Sequence, residues 1–126
     1  MPWLEIAAVS AGAVAGSLLR WGAGIWLNAR WAGFPLGTLF VNCVGGLVIG
    51  AILFWLERSP HELLRLLVVT GLLGGFTTFS AFSAESLILL QRGQVVMALG
   101  HTIAHVVGAL ACAALGFRLA QAMLFR

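Results

Sequence analysis

Four long apolar segments constrain the fold of this chain more than any other feature of its sequence. They cover about residues 3–27, 36–56, 63–90 and 95–118, and short turns at 28–35, 57–62 and 91–94 join them. Each segment has the roughly 20 apolar residues that a helix needs to cross a bilayer. Charged residues make up 9% of the chain, whereas soluble domains carry about a quarter. We therefore predict an all-α integral membrane protein, with residues 1–126 forming a single domain of four transmembrane helices.

The composition excludes several classes of function. All seven basic residues are arginines, and they are scattered, so the chain has no basic patch that would favour nucleic acid as a partner. Cys43 and Cys112 lie inside apolar segments without C-x-x-C spacing, which is typical of packing residues. The sequence contains no serine–histidine–carboxylate set, phosphate loop or carboxylate pair, and we do not expect an enzyme.

The third segment contains the stretch GLLGGFTTFSAF at residues 71–82. Paired glycines and paired threonines weaken a helix, and freed backbone groups are tolerated at membrane depth only where they are buried or line a cavity. We therefore predict that the third helix is broken near mid-membrane, at Gly74, Gly75, Thr77 and Thr78. The break is either a packing kink or a place where freed carbonyls bind a cation that prefers oxygen ligands.

The polar residues within the segments lie mostly toward one end of the bundle. That half contains Arg20, Asn42, Ser80, Glu85, His101 and His105, while the other half offers Ser10, Thr70 and the cysteines. A path that is polar in one leaflet conducts nothing, but a second copy inserted upside down would complete it. The arginines are nearly balanced between the two ends: Arg58, Arg65, Arg118 and Arg126 against Arg30 and Arg92. This balance fits insertion in both orientations, or one orientation with a weak bias. We predict an antiparallel, dual-topology homodimer.

Small residues recur at a spacing of four in three segments. They are Ala8, Gly12 and Gly16; Asn42, Gly46 and Gly50; and Gly100, Ala104, Gly108, Cys112 and Gly116. Such stripes let helices in lipid approach closely. We expect them to serve both packing within one chain and a dimer interface.

Several polar and aromatic residues have two interpretations. Phe79 and Phe82 share a helix face, either as core packing or with their positive ring edges toward an anion. Asn42 either donates to an ion or joins helices by hydrogen bonds. The hydroxyls of Ser80 and Ser83 either line a path or bond to the preceding turn.

The charged and titratable residues of the polar half are also ambiguous. Arg20 is expected to pair with Glu85, either structurally or at a vestibule that attracts anions. His101 and His105 have a spacing suited to a metal ion, but the sequence shows no further ligands, so polar lining or helix contact is the preferred interpretation.

Three motifs in these segments closely resemble those of the Fluc (CrcB) fluoride channels. They are Gly12-x-x-x-Gly16-x-x-x-Arg20 in the first segment, Gly37-Thr38-x-x-x-Asn42-x-x-Gly45 in the second, and Gly71-x-x-Gly74-Gly75-x-Thr77-Thr78-Phe79-Ser80-x-Phe82-Ser83-x-Glu85 in the third. The resemblance covers nearly the whole chain. It implies a passive channel that exports fluoride from the cytoplasm across a bacterial-type inner membrane and so lowers fluoride toxicity.

The resemblance also implies roles for particular residues. An antiparallel homodimer in membrane lipid would contain two fluoride pathways and a central structural sodium ion held by the main-chain oxygens of Gly74 and Thr77. The pathway would comprise Asn42, Thr78, Phe79, Ser80, Phe82 and Ser83. Arg20, Glu85, His101 and His105 would support it at the vestibule.

Two positions depart from that family's pattern. Ala81 stands where many relatives have threonine, and His101 and His105 stand where a neutral polar residue is expected. Imidazoles, with a reference pKa near 6.5, would make conduction sensitive to pH if they face the pore.

Two other functions compete with a fluoride channel. A proton-coupled drug exporter needs a carboxylate near the middle of an early span, but Glu5 lies at the end of the first segment and Glu85 about 13 Å from the midplane, at about 1.5 Å per residue. A non-transporting helix bundle would explain the small-residue stripes but not the combination of a broken helix, paired phenylalanines and an asparagine.

Overall fold

The computed structural model describes residues 1–30 and 33–125, and in that part of the chain all regular structure is helical. Arg126, counted above among the flanking arginines, lies outside the described residues. The helices in chain order are α1 (Pro2–Asn28), α2 (Leu36–Arg58), α3 (Glu62–Arg65), a π-helical stretch (Leu66–Leu73), α4 (Gly74–Phe76), α5 (Phe79–Gln91) and α6 (Val95–Leu124).

Within the described ranges, four helical spans are long and apolar enough to cross a membrane. They are Pro2–Asn28, Leu36–Arg58, Glu62–Gln91 and Val95–Leu124. These bounds agree with the four segments predicted from hydropathy, and the prediction of an all-α protein with four such helices is confirmed. The third span consists of α3, the π-helical stretch, α4 and α5, in that order.

Hydrogen bonds to nearby side chains fix two helix starts, and a glycine makes one of the turns between helices. Asn28, the last residue of α1, accepts a hydrogen bond from the Gly37 amide through its Oδ1 at 2.7 Å, which satisfies a free N–H at the start of α2. His61 accepts from the Leu64 amide through its Nδ1 at 3.2 Å and caps α3. Gly93, with φ of +72°, makes the turn between α5 and α6, where glycine is the least strained residue.

Glycines bring the helices together in two close pairs. A Cβ built on Gly50 would lie 1.9 Å from the Ala113 carbonyl oxygen, so α2 and α6 touch backbone to backbone. A Cβ on Gly16 would lie 2.1 Å from the Leu72 carbonyl oxygen, which places α1 equally close to the third span. All three small-residue stripes therefore contribute to packing within one chain, which is one of the two uses expected for them.

The π-helical stretch Leu66–Leu73 was not anticipated from the sequence. Stretches of this kind are rare and are frequently found at functional sites. This one ends directly before Gly74, where the polar part of the third span begins.

Candidate functional site

The third span is interrupted at Thr77 and Thr78. Both residues have extended backbone angles, with φ and ψ of −83° and 158° for Thr77 and of −153° and 121° for Thr78. Thr77 still bonds to the preceding turn, because its amide and its hydroxyl both donate to the Leu73 carbonyl, at 2.9 Å and 2.8 Å. The helical hydrogen-bond pattern therefore ends at Thr77 and resumes with α5.

Asn42, on α2, binds both main-chain groups of Thr78. Its Oδ1 accepts from the Thr78 amide at 2.8 Å, and its Nδ2 donates to the Thr78 carbonyl at 2.9 Å. The same Nδ2 lies 3.0 Å from Nδ1 of His105 on α6. Asn42 thus connects three of the four spans, which is the second of the two roles considered for it.

Two carbonyl groups at the interruption lose their usual helical donors. In a continuous α-helix the carbonyl of residue i accepts from the amide of residue i+4. The Thr78 amide, which would serve Gly74, goes to Asn42, and the Ala81 amide, which would serve Thr77, goes to the Thr78 hydroxyl at 3.1 Å. The oxygens of Gly74 and Thr77 are therefore among those that the interruption frees.

The paired glycines at the interruption have different surroundings. A Cβ built on Gly75 would lie 2.6 Å from the Ala13 carbonyl oxygen, so Gly75 is required for contact with α1. A Cβ on Gly74 would meet only the Val69 carbonyl oxygen, at 3.8 Å, and Gly74 is exposed. Packing within the chain explains Gly75 but leaves Gly74 unexplained.

A groove of about 470 Å³ runs beside the interruption. Residues from α2, the third span and α6 line it, among them Asn42, Gly74, Thr78, Phe79, Phe82 and His105. The structure therefore brings together the asparagine, the interruption and the two phenylalanines that the sequence analysis singled out.

Phe79 and Phe82 face this groove with very different exposure. Their ring centroids are 5.3 Å apart, yet Phe79 is 77% exposed and Phe82 is 8% exposed. Phe82 packs on two buried imidazoles, with its centroid 5.5 Å from that of His101 and 4.7 Å from that of His105. Phe82 is thus part of the core, whereas Phe79 is open to whatever covers this face.

Glu85 is bonded to a different set of residues from the one predicted. One carboxylate oxygen accepts a short hydrogen bond from the Thr38 hydroxyl, and the other lies 3.2 Å from Nε2 of His101. In the described part of the chain, no hydrogen bond or ion pair joins Arg20 to Glu85, so the expectation that they pair is wrong. Thr38 lies in the same groove as Arg20 and takes the carboxylate instead.

The two histidines are buried, at 0% exposed for His101 and 5% for His105. Nδ1 of His101 lies 2.9 Å from the Ser86 hydroxyl, while Nε2 of His105 has no hydrogen-bond partner. Glu85 brings a third potential metal ligand to these imidazoles, since one ligand atom from each of the three residues lies within 4.8 Å of the others. The sequence spacing had indicated only two potential ligands, the two histidines.

The serine and threonine hydroxyls are used locally. The Ser83 hydroxyl donates to the Phe79 carbonyl at 2.9 Å, which is the bond to the preceding turn that was considered for it. The Ser80 hydroxyl lies 3.2 Å from the Thr78 hydroxyl, at the start of α5. Ser80 and Thr78 therefore form a small polar cluster at the interruption.

Two further grooves extend from this site toward the 28–35 and 91–94 turns. One, of about 430 Å³, shares Thr78 with the first groove and includes Arg20, Thr38 and Ala81. The other, of about 220 Å³, shares Asn28 with the groove of Arg20 and Thr38 and includes Glu85 and Arg92. Polar residues thus follow one another from the interrupted span to one end of the bundle.

Fold and site define a multi-pass membrane protein in which polar grooves converge on an interrupted helix. Residues 7–117 match the family described as CrcB-like protein, Camphor Resistance (CrcB). The chain belongs to this family, as the motifs indicated.

Curated relatives match nearly the whole chain. A protein of Marinobacter nauticus is 48% identical over 91% of this chain and 93% of its own length, and one of Bordetella petrii is 47% identical over 95% and 94%. A third, from Thiobacillus denitrificans, is 46% identical over 87% and 90%. Each of these proteins is named fluoride-specific ion channel FluC. The family is accordingly one of ion channels, not of enzymes.

Proposed function

We propose that this chain is a fluoride-selective channel that exports fluoride passively from the cytoplasm and so lowers fluoride toxicity. One observation carries the proposal: Asn42 holds the interruption of the third span open beside a groove lined by Phe79 and Phe82. That site belongs to a chain 46–48% identical to proteins named fluoride-specific channels.

The proposed fluoride pathway follows the grooves. Fluoride enters past Arg20 and Thr38, whose groove also includes Thr78, and then passes Ser80 and Ser83 at the start of α5. Arg20 attracts the anion, because its guanidinium lacks a carboxylate partner among the described residues. Glu85 and His101 support this entrance through their bonds to Thr38 and Ser86.

At the phenylalanines the anion is held by aromatic ring edges, which attract it less strongly than Arg20 but more selectively. The edge of an aromatic ring is positive, and Phe79 and Phe82 present two rings with centroids 5.3 Å apart. Asn42 lines the same groove and holds Thr78 and His105 in place beside the anion. Because fluoride is small and a strong acceptor, such a site favours it over chloride.

The freed carbonyls fit a structural sodium ion. The oxygens of Gly74 and Thr77 lose their helical donors, and Gly74 is exposed although packing within the chain does not require a glycine there. Uncharged oxygen ligands suit a hard cation. In the proposal, Gly74 and Thr77 of two copies hold one sodium ion, which joins the copies at the interruption.

The assembly proposed is an antiparallel homodimer with two pathways in the inner (plasma) membrane. Each chain has its polar grooves toward one end only, so an inverted second copy supplies the other half of each path. Phe79, at 77% exposed beside exposed Gly74, lies on the face that this copy would cover. The remaining apolar exterior, including Val96 and Leu110, would contact lipid.

The proposal is tested by reconstituting the purified protein in liposomes and following fluoride and chloride release with ion electrodes. Wild type should release fluoride rapidly and retain chloride, and Phe82→Ile should abolish the release. Phe79→Ile should abolish it as well, and Phe125→Ile is the matched control for Phe79, because Phe125 is also exposed, at 70%, and lies at the far end of α6. Correctly folded dimers that release no fluoride would refute the channel.

A further inference from the structure

The buried imidazole of His105 has a tautomer that its neighbours determine. The Thr78 amide must donate and the Thr78 carbonyl must accept, so Oδ1 of Asn42 faces the amide and Nδ2 faces the carbonyl. The flipped amide would oppose both groups of Thr78, so only this orientation of Asn42 fits.

With that orientation fixed, Nδ2 of Asn42 is a donor toward Nδ1 of His105, 3.0 Å away. Nδ1 must therefore be an acceptor without a proton. A neutral imidazole then carries its single proton on Nε2. The chain Thr78–Asn42–His105 thus makes Nε2 of His105 an N–H donor.

This donor is enclosed and unused. His105 is 5% exposed, and its Nε2 is a buried polar atom without a hydrogen-bond partner. A buried donor left unpaired is destabilising, and such a group in a folded protein calls for an explanation. His105 also lines the groove beside the interrupted span, with the Phe82 ring centroid 4.7 Å from its own.

A metal ion does not explain the arrangement, although Glu85, His101 and His105 offer three ligand atoms within 4.8 Å. A metal on Nε2 of His105 would move the proton to Nδ1. Two donors would then face each other, since Asn42 cannot rotate without losing both bonds to Thr78. The Glu85 carboxylate is itself occupied by Thr38 and His101.

We propose that the Nε2–H of His105 donates a hydrogen bond to fluoride in the groove, and that Asn42 is the positioning residue that keeps the proton on Nε2. This inference rests on the proposed function and adds a specific donor to it. The ring of His105 packs against Phe82, and its Nε2 is buried, which disfavours a large hydrated anion there. A small anion that accepts strongly is the ligand that such a group fits.

The nearby negative charge does not prevent this binding. A carboxylate oxygen of Glu85 lies within 4.8 Å of a ring nitrogen of His105, but the two oxygens of Glu85 already accept from Thr38 and His101. His101 lies between, with its ring centroid 4.5 Å from that of His105. The Nε2–H is thus the free donor among these four side chains.

The test is nuclear magnetic resonance of protein labelled with ¹⁵N in its three histidines and reconstituted in lipid. His61→Gln and His105→Gln assign the signals, and exposed His61, outside the groove, is the internal control. We expect His105 to show a protonated Nε2 and an unprotonated Nδ1. The Nε2–H signal should shift with added sodium fluoride and not with sodium chloride, while the signals of His61 stay constant.

Two results would overturn the inference: a proton on Nδ1 of His105 in wild type, or an Nε2–H signal that does not respond to fluoride. The second would mean that water or a ring face satisfies this donor. Asn42→Asp provides an independent check, because a carboxylate only accepts and should draw the proton of His105 to Nδ1. In His105→Phe the fluoride affinity should fall about tenfold, the effect of losing one hydrogen bond to a charged group.

Binding and conduction are read separately. Wild-type liposomes that release fluoride while the His105 signals stay constant would refute this donor and leave the proposed channel standing. A fluoride-responsive Nε2–H in protein that releases no fluoride would support the donor and refute the channel.

Discussion

Asn42 holds Thr78 by both of its main-chain groups, at 2.8 Å and 2.9 Å, across two different membrane spans. Several features of the site follow from this pair. The Thr78 amide no longer serves Gly74, the Thr78 hydroxyl becomes the cap of α5, and the Asn42 amide is oriented toward His105. The Asn42 side chain thereby ends one helix, frees the Gly74 carbonyl and determines which ring nitrogen of His105 carries the proton.

Replacing Asn42 with alanine should destabilise the fold. The Thr78 amide and carbonyl would lose their partners, and each unsatisfied buried group costs about 1–3 kcal/mol. We expect the thermal unfolding temperature of the purified protein, followed by circular dichroism, to fall clearly in Asn42→Ala. Gln94→Ala is the control, because Gln94 is exposed and its side chain makes no capping bond. Equal unfolding temperatures for the two variants would contradict this role of Asn42.

The paired glycines should respond differently to alanine. In Gly75→Ala the new methyl group would lie 2.6 Å from the Ala13 carbonyl oxygen, so α1 and the third span must separate and the protein should unfold at lower temperature. In Gly74→Ala the nearest atom within the chain is 3.8 Å away, and the fold of one chain should persist.

Gly74→Ala should instead affect what two copies share. If Gly74 and Thr77 hold sodium between copies, the added methyl group should reduce the dimer fraction and its dependence on sodium. Size-exclusion chromatography coupled to light scattering, in sodium and in a large organic cation, measures this. A Gly74→Ala variant that dimerises like wild type in both salts would argue against the shared cation.

Much of the fold was predictable, because hydropathy depends on local composition. The four spans follow from apolar length alone, and glycine and threonine pairs mark the place where the third span is interrupted. The π-helical stretch Leu66–Leu73 was not predictable, since the valines, threonine and glycine of LLVVTGLL weaken an α-helix without indicating a π-helix in its place.

The partners of individual polar residues were less predictable than the residues themselves. The sequence placed Arg20, Glu85, His101 and His105 in one half of the bundle, but depth along a helix does not give rotation about it. Thr38 and His101 face Glu85, and Arg20 does not. The link from Thr78 through Asn42 to His105 joins three spans and needs their relative rotation, which no single segment encodes.

Thr78 should tolerate serine but not valine. Its hydroxyl accepts from the Ala81 amide at 3.1 Å and caps α5, and loss of such a cap costs about 1 kcal/mol. Valine keeps the shape and removes the oxygen, while serine keeps the oxygen. We expect Thr78→Val to lower the unfolding temperature and Thr78→Ser to remain close to wild type. Equal destabilisation by both would indicate that the methyl group, not the cap, matters.

Glu85 should be coupled to Thr38 and not to Arg20. The Thr38 hydroxyl donates to Glu85, so a double-mutant cycle of Thr38→Val and Glu85→Gln, read in unfolding free energy, should show an interaction of about 0.5–3 kcal/mol. The parallel cycle of Arg20→Gln and Glu85→Gln should be additive within about 0.5 kcal/mol. An interaction in the second cycle as large as in the first would show that Arg20 and Glu85 do form an ion pair.

Phe79 and Phe82 should separate stability from conduction. Phe82 is 8% exposed and packs on His101 and His105, so Phe82→Ile removes ring contacts from the core and should lower stability by about 1–3 kcal/mol. Phe79 is 77% exposed, so Phe79→Ile should leave the unfolding of a single chain within about 0.5 kcal/mol of wild type.

Both variants should nevertheless lose fluoride release in liposomes, because each removes a ring edge from the groove. Phe79→Ile is the more informative of the two, since its loss of release cannot be attributed to a weakened core. Phe125→Ile, which changes an exposed ring away from the groove, should match wild type in both assays. Normal fluoride release by a well-folded Phe79→Ile protein would show that the exposed ring contacts a neighbour rather than the ion.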